Sequence, residues 1–184
     1  TFTADRGYAR VSGSNYINTT YNPSTDAINY SLNSASLTLW NNTSRAADAT
    51  LQMGADDTVS HASMASFSST GSSIRFALNS PGSVFAEPAV AGSQGCGIVN
   101  RNGSTSTDVQ AYYNGALLTG STSETSTAVP NTSIYVCGLS VSGTFAAGTT
   151  DQISATIIGG SLTATDAANL YSGLRAYMST VGVT

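Results

Sequence analysis

The protein has 184 residues, of which 29 are Ser and 25 are Thr, while only 9% are charged. All six basic residues are Arg and the net charge is −4, which excludes a basic surface for nucleic acid. No apolar run approaches the roughly 18 residues that a membrane span needs. The 40% apolar share is too high for a disordered Ser/Thr stalk, and the length predicts a single domain, 1–184.

Short segments of alternating character, separated by Gly, Asn and Pro, recur along most of the chain and are typical of β-strands. They fall at 15–20, 35–40, 50–53, 73–78, 97–101, 108–113, 133–139 and 152–158. The segments 97–101 and 108–113 predict a hairpin with a six-residue loop. Asn114-Gly115 then predicts a tight turn into 116–118, because both residues accept a positive φ. The stretch 119–132 predicts an exposed loop.

The end of the chain has the spacing of a helix. Thr163 and Asp166 form the pattern of a capping box, and Gly182 suits the C-terminal end. Between them the apolar residues follow helical spacing, at Leu170, Leu174, Tyr177, Met178 and Val181. We therefore predict a helix over about 164–181, packed on the rest of the domain. Since long helices alternate with strands nowhere, the fold class is all-β, a two-sheet antiparallel sandwich.

The acidic residues show no pattern typical of a hydrolase. The two Glu, at 87 and 124, fall in different loops, so no strand places two carboxylates on one face. Asp56-Asp57 could hold Ca²⁺ together with backbone carbonyls, although a solvated turn is the simpler interpretation. His61 is the only His, which excludes a zinc cluster built on several histidines. We predict no catalytic residue, metal or cofactor.

The two cysteines leave two alternatives open. Cys96 and Cys137 each fall at or in a predicted strand. A disulfide requires that those strands be neighbours with the right Cα spacing, which sequence does not supply. Two buried free thiols are the other alternative.

The candidates for ligand binding are aromatic and amide side chains. Trp40, Asn100, Arg101 and Tyr113 lie on predicted strands, where flat rings and amide donors could bind a sugar. Each aromatic could equally be an ordinary residue of a sheet.

Alternation along 108–113 separates the adjacent tyrosines. It places Tyr113 with Val109 and Ala111 on one face, and Tyr112 with Gln110 on the other. We therefore expect one tyrosine in the core and the other nearer to solvent.

A set of segments spread over nearly the whole chain resembles a known family. They are 2–8, 16–25, 34–40, 99–101, 112–115, 134–136, 158–163, 170–171 and 176–178. The most telling are the strand end Tyr112-Tyr-Asn-Gly115 and the closing Ile158-Gly-Gly-Ser-Leu-Thr163. Together they resemble the concanavalin A-like (laminin G-like) lectin and glucanase sandwich domains of phage virion proteins and related bacterial proteins.

This resemblance implies a jelly-roll of two curved sheets and a non-catalytic virion module, in a fibre, tail or capsid decoration. The expected partners are other virion proteins and further copies of this chain, with host-surface glycan as a candidate ligand and neither nucleic acid nor membrane insertion. The expected location is the virion surface. The alternative is a secreted or cell-surface bacterial carbohydrate-binding protein, or an accessory module of a secreted enzyme.

Overall fold

Strands dominate the fold in the computed structural model, which describes residues 1–4, 6–43, 50–65, 74–82, 84–86, 94–118 and 124–183. In chain order the strands are β1 Phe2–Thr3, β2 Gly7–Ala9, β3 Ile17–Asn18, β4 Ser34–Asn41, β5 Met53–Asp56, β6 His61–Ala65, β7 Ile74–Ser80, β8 Val84–Ala86, β9 Gly95–Asn102, β10 Val109–Tyr113, β11 Ala116–Leu118, β12 Tyr135–Val136, β13 Leu139–Val141, β14 Thr144–Ala146 and β15 Gln152–Gly159. One helix, α1, follows at Ala164–Thr180.

The strands form two sheets. The first has the order β1-β2-β15-β4-β9-β10-β11, and the second runs β14-β13-β5-β6-β7-β8, with β12 pairing β3 and β5 beside it. Pairing between strands is antiparallel except for a two-residue parallel ladder between β13 and β5. The predicted fold class, a two-sheet β-sandwich with one C-terminal helix, is confirmed.

The main core lies between the sheets and follows from the period of two along each strand. In β4, Leu37 and Leu39 point inward and are fully buried, while Thr38 lies on the opposite face. Met64 and Phe76 face them from the second sheet. Burying such side chains stabilises the fold by roughly 1.5–3 kcal/mol each.

A second apolar cluster lies on the outer face of the seven-stranded sheet, where α1 covers it. Ala167 and Met178 of the helix pack here with Ile98 and Tyr112 of the sheet. The predicted capping box is confirmed, because Thr163 and Asp166 exchange backbone and side-chain hydrogen bonds. The helix ends within one residue of the predicted position, and Gly182 follows with φ +75°.

The two predicted hairpins are confirmed. Arg101 pairs with Val109 across the first, and Tyr113 pairs with Ala116 across a two-residue turn. Asn114 and Gly115 in that turn have φ of 49° and 82°, the conformation that an Asn-Gly pair favours.

Two predicted strands are displaced or divided. The segment 50–53 gives way to β5 at Met53–Asp56, and 133–139 is divided into β12 and β13. The division falls at Cys137, whose φ of 65° is incompatible with a continuous strand. The strand His61–Ala65 has no strong β-forming residues and is set by its two neighbours.

The cysteines are both free and buried. Cys96 belongs to the cluster beneath the helix and Cys137 to the core between the sheets. Burial raises the pKa of Cys96 to about 12 and that of Cys137 to about 11. The sequence left a disulfide and two buried free thiols as alternatives, and the structure shows the two buried free thiols.

No helix within the described ranges combines the length and apolar character needed to cross a membrane. Of the predicted loop 119–132, residues 119–123 lie outside the described ranges, as does Glu87. The described remainder, 124–132, has no regular secondary structure.

Candidate functional site

The structure does not bring the four predicted sugar-binding residues to one surface. Arg101 is 1% exposed and donates to backbone carbonyls: from Nε to Leu78 at 2.7 Å and from Nη2 to Glu124 at 2.6 Å. Longer bonds run from Nη1 to Gly103 and Thr105. Burial lowers the pKa of this guanidinium, and Asp108 partly offsets the effect. Arg101 therefore joins the two sheets and two loops and does not face solvent.

Asn100 is also buried, on the outer face of the same strand. Its Nδ2 donates to the Leu162 carbonyl at 3.0 Å, and its Oδ1 accepts from the Leu162 N–H at 2.6 Å. The sequence interpretation missed this role because the partner is a distant backbone segment just before α1. Asn100 fixes the approach to the helix and is not exposed to a ligand.

The adjacent tyrosines lie on the predicted opposite faces, but their exposure is the reverse of a simple core-and-surface arrangement. Tyr112 is buried beneath α1, whereas Tyr113, on the core side, is only partly buried. The outer face of the sheet, which carries Tyr112, is the more buried face at this point because α1 covers it. Burial raises the pKa of Tyr113 to about 12, so its hydroxyl stays a proton donor and bonds the Gln94 carbonyl.

Trp40 is the predicted residue that borders a pocket. Its side chain is 3% exposed and lies next to Tyr171 of α1, with ring centroids 6.3 Å apart and planes inclined by 9°. The pocket beside these rings has a volume of about 300 Å³ and is also lined by Gln94, Gly95, Asn114 and Arg175. It lies where β9 begins, where β10 turns into β11, and against the middle of the helix.

The pocket walls are held by backbone geometry. Asn114 Oδ1 accepts from the Cys96 N–H at 2.8 Å, which fixes this carboxamide across Gly95. At Gly115, which has φ +82°, an added Cβ would lie 2.6 Å from Cδ1 of Tyr171. The Asn114-Gly115 turn therefore shapes the pocket and seats the Tyr171 ring.

The polar groups around the pocket are donors of several kinds. Gln94, Asn114 and Arg175 are exposed. The Trp40 indole N–H and the Arg175 guanidinium have no hydrogen-bond partner among the described residues. No carboxylate is among the described residues that line the pocket. The arrangement suits a ligand with an apolar face and several hydroxyl or carboxylate oxygens.

A second pocket of about 310 Å³ differs in chemistry. It lies beside β15 and is lined by apolar groups such as Phe2, Ile17 and Val136. Two of its hydroxyls are already engaged, because Thr19 donates to the Ile134 carbonyl and Ser154 donates to that of Arg6. The pocket lacks amide side chains among its described residues, so the first pocket is the better candidate for a polar ligand.

Asp56 ends β5, and Asp57 begins the turn that leads to β6. Asp57 accepts backbone N–H bonds from Val59, Ser60 and Asn131 at 2.8–3.0 Å. Asp56 Oδ2 lies 3.3 Å from His61 Nδ1. Within the described ranges no group of three or more His, Cys, Asp or Glu could hold a metal. The turn interpretation holds for Asp57, whereas Asp56 pairs with His61 at the end of the β5–β6 ladder.

The sequence interpretation missed Tyr171 and Arg175. They are four residues apart on one face of α1, beside the apolar stripe that was assigned entirely to packing. An aromatic and a cation at that spacing, off the stripe, are the signal that could have found them.

No protein-family model matches the chain, and no curated protein sequence does. The chain is similar in structure to the CBM40 module of the Ruminococcus gnavus IT-sialidase bound to α2,3-sialyllactose. That match has 12% identity, covers 75% of this chain and 81% of the module, and has a TM-score of 0.50. A second structure of that module has 13% identity, covers 76% and 83%, and also has a TM-score of 0.50. Domain 4 of AbnA, an extracellular arabinanase from Geobacillus stearothermophilus, in complex with arabinotriose, has 17% identity, covers 76% and 66%, and has a TM-score of 0.48.

The two CBM40 structures share the fold of this chain, a two-sheet β-sandwich. The sandwich fold implied by the sequence resemblance is thereby confirmed. The virion setting stays a prediction.

Proposed function

We propose that this chain is a non-catalytic carbohydrate-binding module and that the pocket beside Trp40 and Tyr171 holds the sugar. The observation that carries the proposal is the meeting of two nearly parallel aromatic rings with amide and guanidinium donors in one pocket. Aromatic faces pack against the C–H face of a sugar ring, and the donors bond its oxygens. A volume near 300 Å³ suits a terminal sugar unit.

Two further points support this function. The CBM40 module named above was solved with a sugar ligand, α2,3-sialyllactose. The described pocket lining contains no pair of carboxylates with which to cleave a glycosidic bond. Accessory targeting of a secreted enzyme, or free glycan binding at a cell surface, therefore accounts for the site better than catalysis does.

The virion version of this function is the second candidate, and it rests on the sequence resemblance alone. It adds self-association and binding to other virion proteins to the same lectin-like fold. Light scattering on undissociated material distinguishes the two versions. A large symmetric multimer would favour the virion module, and an 18.7 kDa monomer would favour the accessory module.

The direct test is a glycan array followed by calorimetry on the strongest hit. Tyr171→Ala is expected to weaken binding at least tenfold, because it removes one of the two rings at the pocket. Tyr177→Ala is the matched control, since Tyr177 is an exposed tyrosine of the same helix that does not line this pocket. Binding that is unchanged in Tyr171→Ala, or lost equally in both variants, would overturn the assignment of the site.

A further inference from the structure

We propose that the sugar bound in this pocket is acidic, and that Arg175 recognises its carboxylate. This inference rests on the proposed function and adds the chemical class of the ligand. The supporting observations are the position of Arg175, the partners that it lacks, and the neutrality of the rest of the pocket.

Arg175 is placed to reach a ligand that packs on the aromatic rings. It lies one helical turn after Tyr171 on α1, so the guanidinium and the Tyr171 ring project from the same face of the helix. Both side chains line the pocket. A sugar seated on the ring therefore has the guanidinium at its edge.

The Arg175 side chain has no hydrogen-bond or ion-pair partner among the described residues. Two other arginines of the chain are used internally. Arg10 donates to the carbonyls of Gly148 and Thr149, and Arg101 donates to the backbone of both sheets. Unlike those two, Arg175 keeps its donors for a molecule from outside.

The charge around the pocket favours an anion locally, although the chain as a whole is acidic. The remaining lining residues, Trp40, Gln94, Gly95, Asn114 and Tyr171, are all neutral. Two acids of the same elements lie away from the lining and bond other residues: Asp166 bonds Thr163 at the start of the helix, and Asp108 bonds Thr105 in the loop at the far end of the β9–β10 hairpin. The guanidinium at the pocket is therefore not neutralised by a described carboxylate.

The geometry of the cation points to a carboxylate. A guanidinium is a planar fork that donates two parallel N–H bonds to the two oxygens of a carboxylate. Arg175 is the only charged side chain among the described residues that line the pocket. Arg175 is thus the group that separates an acidic sugar from its neutral counterpart.

The test is a glycan array that displays matched sets of glycans. In each set, one member ends in an acidic sugar, which is glucuronate, galacturonate or sialate. A second member ends in the neutral counterpart of that sugar and a third in a sulfated counterpart. We expect the wild-type protein to prefer the carboxylate member at least tenfold over the neutral one in calorimetry. Arg175→Gln is expected to remove that preference, and Arg175→Lys to keep only part of it, since Lys is a point charge. Raised salt should reduce the preference in the wild type.

Arg6→Gln is the matched control, because it removes the same charge from an exposed arginine outside the pocket and should keep the preference. Equal affinity for acidic and neutral members overturns this inference and leaves the proposed function standing, provided that binding still depends on Tyr171. A preference for sulfate over carboxylate also overturns it. If no glycan binds at all, the proposed function fails together with the inference.

Discussion

The side chain of Asn100 and the backbone of Leu162 exchange two hydrogen bonds, with the carboxamide both donating and accepting. Asn100 lies in the middle of the seven-stranded sheet, and Leu162 immediately precedes Thr163, the N-terminal cap of α1. This pair therefore sets where the helix begins on the sheet. Since α1 supplies Tyr171 and Arg175, the same pair also sets the pocket.

Asn100→Ala is expected to lower the free energy of unfolding by about 2–3 kcal/mol, because it leaves the partly buried N–H and C=O of Leu162 without their Asn100 partner. For a chain of this length the melting temperature should fall by about 5–10 °C. Asn102→Ala is the control, since Asn102 is exposed on the same strand, and it should change stability by less than about 0.5 kcal/mol. Equal melting temperatures for the two variants would show that the bonds to Leu162 contribute nothing.

Arg101→Met is expected to lower the free energy of unfolding by about 3 kcal/mol or more, because several backbone carbonyls lose a charged donor in the interior. Urea unfolding followed by tryptophan fluorescence measures this change. Arg175→Met replaces an exposed arginine and should leave the midpoint nearly unchanged. A stable Arg101→Met variant with wild-type midpoint would contradict the assigned structural role.

Acid is expected to destabilise the fold through carboxylates that accept hydrogen bonds. Bonds from Thr105 and Thr163 lower the pKa of Asp108 and Asp166, respectively. For Asp57, burial acts in the opposite direction, but backbone bonds from Asn131, Ser60 and Val59 together lower its pKa. A lowered pKa in the folded state gives stability that is present above the unfolded-state value of about 4 and is lost as pH falls through the folded-state value.

Thermal melts at a series of pH values measure this effect. The series runs from about pH 6 to about pH 2, because carboxylates titrate within that range. We expect a constant melting temperature at the higher pH values, and a decrease in melting temperature once the pH is lower than about 4. The triple variant with Asn at 57, 108 and 166 should be less stable at neutral pH and should show a shallower acid dependence. A melting temperature that rises on acidification would contradict the predicted sign.

The two thiols are expected to be unreactive in the folded protein. Burial raises the pKa of Cys96 to about 12 and of Cys137 to about 11, so neither forms a thiolate at pH 8. Ellman's reagent should detect no thiol in the native state and two in concentrated guanidinium. After denaturation, the Cys96→Ala and Cys137→Ala variants should each show one thiol. Rapid reaction of the native protein, or no thiol after denaturation, would contradict the buried free thiols.

Features that depend on neighbours along the chain could be predicted from the sequence. The Asn114-Gly115 turn follows from two residues that accept a positive φ, and the ends of α1 follow from Thr163, Asp166 and Gly182. The sandwich class follows from the repeated short segments. These signals are local, because a turn or a helix cap is formed by side chains within a few residues of the backbone that they bond.

Which polar and aromatic residues face solvent could not be predicted in this way, because it depends on the packing of distant elements. Asn100 and Arg101 are typical of a binding strand by residue type, but the helix and the opposite sheet bury them and supply backbone partners. Trp40 and Tyr171 are far apart in sequence and meet because α1 packs on the outer face of the sheet. Burial and contact at such distances depend on how whole elements pack, and strand alternation specifies the face of a residue but not what covers that face.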